Sequence, residues 1–155
     1  MADQIVVRED DLTGPAITDL LTRHLQHMHA ITPAGSVYAL DMNALRAPDI
    51  TFWAAWDDED LVGCVALKDH GDGLGEIKSM HTRAERRGQG IARKLLETLM
   101  DEARNRRMER LSLETGKTEH FKPAQQLYRR YGFNETGPFA DYDDDPHSFF
   151  MTRMI

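Results

Sequence analysis

The sequence predicts a single α/β domain built on a mixed, mostly antiparallel sheet flanked by helices. Three observations predict it. The 155 residues are enough for one core and too few for two ordinary domains. Strand-like segments near the front are joined by short turns, as antiparallel hairpins require. In the middle, a strand, a long amphipathic helix and another strand follow one another, the order of a β-α-β crossover. The whole chain, 1–155, reads as one domain with the order β-α-α-β-β-β-α-β-α-β-β.

Each element has its own local cause. "QIVVRE" (4–9) alternates and reads as a strand. Thr13-Gly14-Pro15 opens a helix over 15–30, with Ile17, Leu21, Leu25 and Met28 at helical spacing. "YALDMNALRAPD" (38–49) reads as a short helix or loop closed by Pro48. "ITFWAAWD" (50–57) and "DLVGCVALKD" (60–69) flank an acidic turn as a hairpin, and "HGDGLG" (70–75) turns into "EIKSMHT" (76–82). "GIARKLLETLMDEARNRR" puts Ile91, Leu95, Leu99 and Ala103 on one helical face. "RLSLET" (110–115) is a strand, and "PAQQLYRRYG" (123–132) a helix opened by Pro123 and capped by Gly132. "FNETG" and "HSFFMTRMI" make a final strand pair.

Composition narrows the class. Hydrophobic residues make up 41% and charged residues 29%, as in globular proteins. No apolar run reaches a membrane span and the N-terminus has no secretory pattern, so no membrane partner is expected. A lone Cys64 between apolar neighbours reads as a buried structural thiol in a reducing compartment, and the location expected is cytoplasmic. A net charge of −7 argues against nucleic-acid binding. The charge is uneven. Residues 83 to 130 hold 13 Lys/Arg against seven acids, whereas 135 to 145 hold five acids and no base. One region should attract an anion and the other a cation.

The basic region contains "RRGQGIARKLL" (86–96). Glycines without Cβ let backbone N–H groups approach an anion, and the helix N-terminus behind them adds partial positive charge. Arg86, Arg87, Arg93 and Lys94 lie nearby in sequence. A phosphate or pyrophosphate suits such a loop. No GxxxxGK[ST] string occurs, and Gly88-Gln89-Gly90-Ile91-Ala92-Arg93 lacks the third glycine of a dinucleotide fingerprint.

Arg87-Gly88-Gln89-Gly90-Ile91-Ala92 resembles the acetyl-CoA motif [RQ]-x-x-G-x-[GA] of the GCN5-related N-acetyltransferase (GNAT) family. "GEIKSMHT" before it, "LSLETG" after it and "AQQLYRRYGF" (124–133) are similar to the family's neighbouring segments, and the element order matches over nearly the whole chain. The resemblance implies a GNAT-like fold and acetyl-CoA as co-substrate. Amides of residues 88 to 93 would hold the pyrophosphate. The backbone of Met80, His81 and Thr82 would pair with the pantetheine arm as an added strand. Ala124 would let the thiol end pass. Many members carry Asn where this chain has Phe121, so an apolar or stacking contact would stand in for that hydrogen bond.

Moving acetyl from a thioester to an amine requires a neutral amine, a polarised carbonyl and a stabilised thiolate. An alkylamine is mostly protonated at neutral pH, so a base or a desolvating pocket is needed. Glu76 is the candidate base, and a salt bridge to Lys78 is its structural alternative. His81 is the rival base, and strand alternation places it on the face opposite Glu76. Tyr128, at the family's catalytic tyrosine position, would act as general acid on the CoA sulfur; packing in the core is its alternative role. The backbone N–H of Met80 or His81 would polarise the carbonyl. Direct attack by the acceptor needs no covalent nucleophile, so Cys64 has no catalytic part.

The acceptor is expected to be a primary amine of a small molecule or peptide. The resemblance places its pocket among "HLQHMHAITP" (24–33), "SVYALD" (36–41) and "FADYDDDPHSFF" (139–150), with His24, His27, Tyr38, Asp141 and Tyr142 as contacts. His24 and His27 could share an ion at i, i+3, but no further ligands accompany them and no metal is expected. The free edge of the last strand leaves a homodimer open. The competing function is a non-catalytic acyl-CoA-binding regulatory module.

Overall fold

A computed structural model describes residues 4–36 and 41–155. Its elements are β1 (Ile5–Glu9), α1 (Pro15–Ile31), α2 (Met42–Leu45), β2 (Ile50–Asp57), β3 (Asp60–Asp69), β4 (Leu74–Thr82), α3 (Ile91–Asn105), β5 (Arg110–Gly116), α4 (Lys122–Arg130), β6 (Asn134–Thr136) and β7 (Ser148–Met154). The seven strands form one sheet in the order β1-β2-β3-β4-β5-β7-β6. Only β4 and β5 are parallel, as the crossover through α3 dictates.

The sheet has a core on each face. Trp53, Ala55, Val65, Leu67, Ile77, Leu111 and Leu113 turn toward Ile91, Leu95, Leu99 and Ala103 of α3. Phe52, Ala54, Leu61, Cys64 and Ala66 turn toward Ile17, Leu20 and Leu21 of α1. Covered on both faces, β3 has no polar side, which is why its sequence is a near-continuous apolar run. The predicted α1 stripe is half right. Ile17 and Leu21 are buried, whereas Leu25 and Met28 are half-buried because that end of α1 overhangs a cleft. Cys64 is buried, and burial pushes its thiol pKa up to about 12, so it is inert as a nucleophile.

Two irregularities shape the middle of the sheet. β4 pairs with β5 only from Leu74↔Arg110 to Ile77↔Leu113, and beyond that point the two strands part. Past the fork, β5 continues against β7, and β4 continues against β3. In the same stretch, Cys64 pairs with His81 but Ala66 pairs with Lys78, so β4 carries one extra residue. Ser79 has a φ of 55°, the left-handed conformation that absorbs it as a β-bulge. The fork opens a wedge between β4 and β5 with one backbone edge of residues 78–82 unpaired by β5.

Candidate active site

The bulge overturns one expectation. Without it, His81 would face away from Glu76. Cross-strand partners share a face, and Ala66 and Cys64, two apart on β3, face α1. Their partners Lys78 and His81 therefore face α1 as well, and Glu76, two before Lys78, joins them. His81 stacks on His24 of α1, with ring centroids 4.5 Å apart. Burial lowers the pKa of His24 to about 4 and that of His81 to about 3, so both rings are neutral at physiological pH. A ring already neutral with so low a pKa is a poor base for an alkylammonium.

A cavity of about 680 Å³ runs along the outer side of the fork, from the glycine loop to Tyr128. Gly88 and Gly90 have φ values of 79° and 80°, and Gly90 caps α3. Two left-handed glycines around Gln89 turn the loop so that α3 starts abruptly, and its first-turn N–H groups lack intrahelical partners. Arg87, Arg93 and Arg130 line this cavity. Arg86 also lines it but is committed to Asp57 (2.6 Å) and Gln89 (3.0 Å), which brace the loop against β2. Lys94 does not line the cavity; its ammonium donates to the carbonyl of Ile5. Arg130 was missed in the sequence because it lies 37 positions after Arg93, on another helix.

A second cavity, of about 120 Å³, continues inward between the parted strands. His24, Met28, Met80, Phe121, Ala124 and Tyr128 line both, so the two communicate. Phe121 is packed onto Gly116, where an added Cβ would lie 2.1 Å from its ring. Tyr128 is 4% exposed, sits edge-on to Phe133, and has its pKa raised by burial, which keeps its proton on.

The inner end of the small cavity is a polar cluster. Glu76, 2% exposed, accepts from Tyr142 Oη (2.6 Å) and Lys78 Nζ (3.1 Å), and its other oxygen is 2.7 Å from His70 Nε2. Lys78 also reaches Tyr142 Oη at 2.9 Å. Glu114 lies beside this cluster on the wall of the same cavity. Burial raises its pKa to about 7. Glu114 was missed in the sequence. The alternation in "RLSLET" shows that Ser112 and Glu114 share the face opposite Leu111 and Leu113, but not that this face opens onto a cleft.

The other sequence candidates divide. His27 lines the large cavity, near His120 (6.1 Å between centroids). Asp141 is exposed and, like Tyr142, lines neither cavity, but Tyr142 is half-buried against Glu76 and Lys78. Tyr38 lies outside the described residues.

The profile of the acetyltransferase (GNAT) family matches residues 15–133. The chain belongs to the GNAT family. It is 46% identical over 149 residues to the uncharacterized N-acetyltransferase YsnE of Bacillus subtilis (strain 168), covering 96% of this chain and 99% of that one. It is 38% identical to the IAA acetyltransferase of Azospirillum brasilense over the full length of both. The crystal structure of the putative acyl-CoA N-acyltransferase from Klebsiella pneumoniae superposes with a TM-score of 0.79 at 27% identity and covers 97% of each chain.

The GNAT cleft of this chain fits an acyl-CoA on its own chemistry. Among the described residues, His24 Nδ1, Ser79 Oγ and Thr82 Oγ1 are buried without a hydrogen-bond partner, and all three residues line the cavities. Orphaned polar atoms beside a free strand edge suit a ligand that carries amides. The glycine loop and its arginines suit phosphates.

Proposed function

We propose that this GNAT protein transfers an acetyl group from acetyl-CoA to a primary amine of a small molecule or peptide, by direct attack. One observation carries the reading: the fork between β4 and β5 joins an anion-binding loop to a small buried cavity that holds carboxyls and a tyrosine hydroxyl. Acetyl-CoA supplies an acetyl thioester when bound. The amides of residues 88 to 93 with Arg87 and Arg93 hold its phosphates. The edge of Met80, His81 and Thr82 orients its arm, and Phe121 and Ala124 shape the passage. Tyr128, protonated and buried, gives its proton to the leaving sulfur. Two carboxyls, Glu76 and Glu114, border the place where an amine would arrive. His24 walls it, and Tyr142 braces Glu76 and Lys78 from behind.

CoA-thiol release is to be followed across polyamines, amino acids, aminoglycosides and peptides, alongside calorimetric titration with acetyl-CoA. Binding with turnover on at least one amine is expected. Tyr128→Phe should then lower kcat by about 10²-fold or more with little change in acetyl-CoA affinity. Binding without turnover on any amine would favour the non-catalytic acyl-CoA-binding module, and absence of binding would refute both.

A further inference from the structure

We propose that Glu114, and not Glu76, takes the proton from the acceptor amine, and that Glu76 is a positioning residue that fixes the inner wall of the cavity. The proposal rests on the acetyl-transfer reading above and names the group that performs its first step.

The two carboxyls share a face but not a place. In the parallel pairing of β4 and β5, Glu76 is matched with Ser112, and Leu113 is the last β5 residue to be paired. Glu114 is therefore the first residue of β5 past the fork, in step with Lys78. That is roughly 7 Å nearer the glycine-loop end than Glu76, at about 3.3 Å per residue. On its far side Glu114 is matched with Phe150 of β7. On its near side β4 has left, and the cavity takes its place. Glu114 shares that cavity with Tyr128 and Ala124, where the donor's reactive end would lie.

The two carboxyls also differ in what they already hold. Both oxygens of Glu76 are engaged, by Tyr142, Lys78 and His70 at 2.6 to 3.1 Å. Taking a proton there would mean giving up the bonds that dock Tyr142 onto β4. Glu114 is set differently. Facing it are Ser148 of β7, whose hydroxyl favours the charged form and opposes burial, Lys78 and Glu76 from β4 and Asp145 from the segment before β7, with His24 of α1 and Tyr128 of α4 on the shared walls. Lys78 Nζ lies 3.1 Å from Glu76 and 2.9 Å from Tyr142 Oη. Burial then leaves Glu114 able to change protonation close to neutral pH.

The step balances. Glu114, as carboxylate, accepts one proton from the acceptor ammonium. The freed nitrogen pair forms the C–N bond to the acetyl carbonyl carbon as the C–S bond breaks. Tyr128 gives its proton to the sulfur and recovers one from the nitrogen, which becomes the amide. Glu114 returns its proton to water, so one proton is released per turnover.

The test is kcat/KM against pH for the parent chain, Glu114→Gln and Glu76→Gln. The acceptor is the amine of the panel above with the highest turnover, and acetyl-CoA affinity is measured in parallel. The parent is expected to show an ascending limb centred near pH 7. Glu114→Gln should lose that limb and about 10²- to 10⁴-fold of kcat, with acetyl-CoA affinity held within about threefold. Glu76→Gln should lose turnover but keep the limb. In ¹³C-glutamate-labelled full-length protein, one carboxyl should titrate near pH 7 and vanish in Glu114→Gln only. Turnover and an intact limb in Glu114→Gln, or loss of the limb in Glu76→Gln alone, would overturn the proposal and leave the acetyl-transfer reading standing. No turnover with any amine would defeat both.

Discussion

Glu114 and the paired histidines titrate in opposite senses, and their effects on stability can be separated. Burial raises the folded-state pKa of Glu114 to about 7 from an ordinary value of 4.5. Between those pH values the folded state binds more protons than the unfolded one, so its contribution to stability falls as pH rises. Glu114→Gln should therefore be more stable than the parent at pH 8, by about 3 kcal/mol at most, and the gap should close toward pH 4.5. Urea melts at the two pH values measure it, and an equal gap at both would contradict the buried carboxyl. For His24 and His81 the folded pKa lies below the ordinary 6.5, at about 4 and about 3. The unfolded chain takes up protons first, so stability is lost as pH drops from 6.5. Replacing His81 with Leu should remove about 3 kcal/mol of the stability loss seen between pH 7 and pH 4. Thermal melts of both proteins across that range would show it as a shallower acid limb.

Helices and strands here follow from local patterns, but the cleft follows from two breaks in those patterns. The α3 face named from its periodicity is fully buried, and β3 spans Asp60–Asp69 as its apolar run indicated. The bulge at Ser79 has no sequence mark. Serine in the left-handed region is uncommon, and the extra residue is forced by pairing with β3, which no window of β4 reveals. That one residue moved His81 to the face of Glu76. The glycines, by contrast, are legible as conformational needs. An added Cβ at Gly88 would meet nothing within 4 Å, so Gly88→Ala is strained only through its φ of 79°. It should lose about 1–2 kcal/mol of stability and weaken acetyl-CoA binding about tenfold, read by calorimetric titration. Gly116→Ala acts by contact. Its Cβ would collide with Phe121, so the ring must leave the wall of both cavities. Acetyl-CoA affinity should drop with this variant too, although Gly116 lines neither cavity.

At the scale of the molecule, the sheet separates stability from chemistry. The face under α3 is a dry core, and the cleft opens where β4 and β5 part, lined by residues of both α1 and α4. Leu99→Ala, at a fully buried α3 position, should cost about 3–5 kcal/mol and leave acetyl-CoA affinity within about twofold at a temperature where the fold holds. Denaturant melts and titration calorimetry together check both halves. The charge asymmetry of the sequence also resolves at this scale. From the basic region, Arg86, Arg87, Arg93 and Arg130 line the large cavity, though Asp57 neutralises Arg86, and Lys94 turns to β1. In the acidic stretch, Asp141, Asp143 and Asp144 are exposed, and Asp145 accepts from Ser36 Oγ at 3.0 Å.

What the sequence by itself determined is whatever is written in neighbouring residues: the order of elements, the hairpins, the α3 core face and the anion loop with its glycines. These rest on backbone conformation and short-range periodicity, which local sequence controls. What only the tertiary structure decided is which side chains meet across the fork. Glu76 meets Tyr142 across 66 positions, and Glu114 gains its cavity because β4 departs after Ile77. Burial and opposing charge set the protonation of those groups, and both are properties of what surrounds a residue in space.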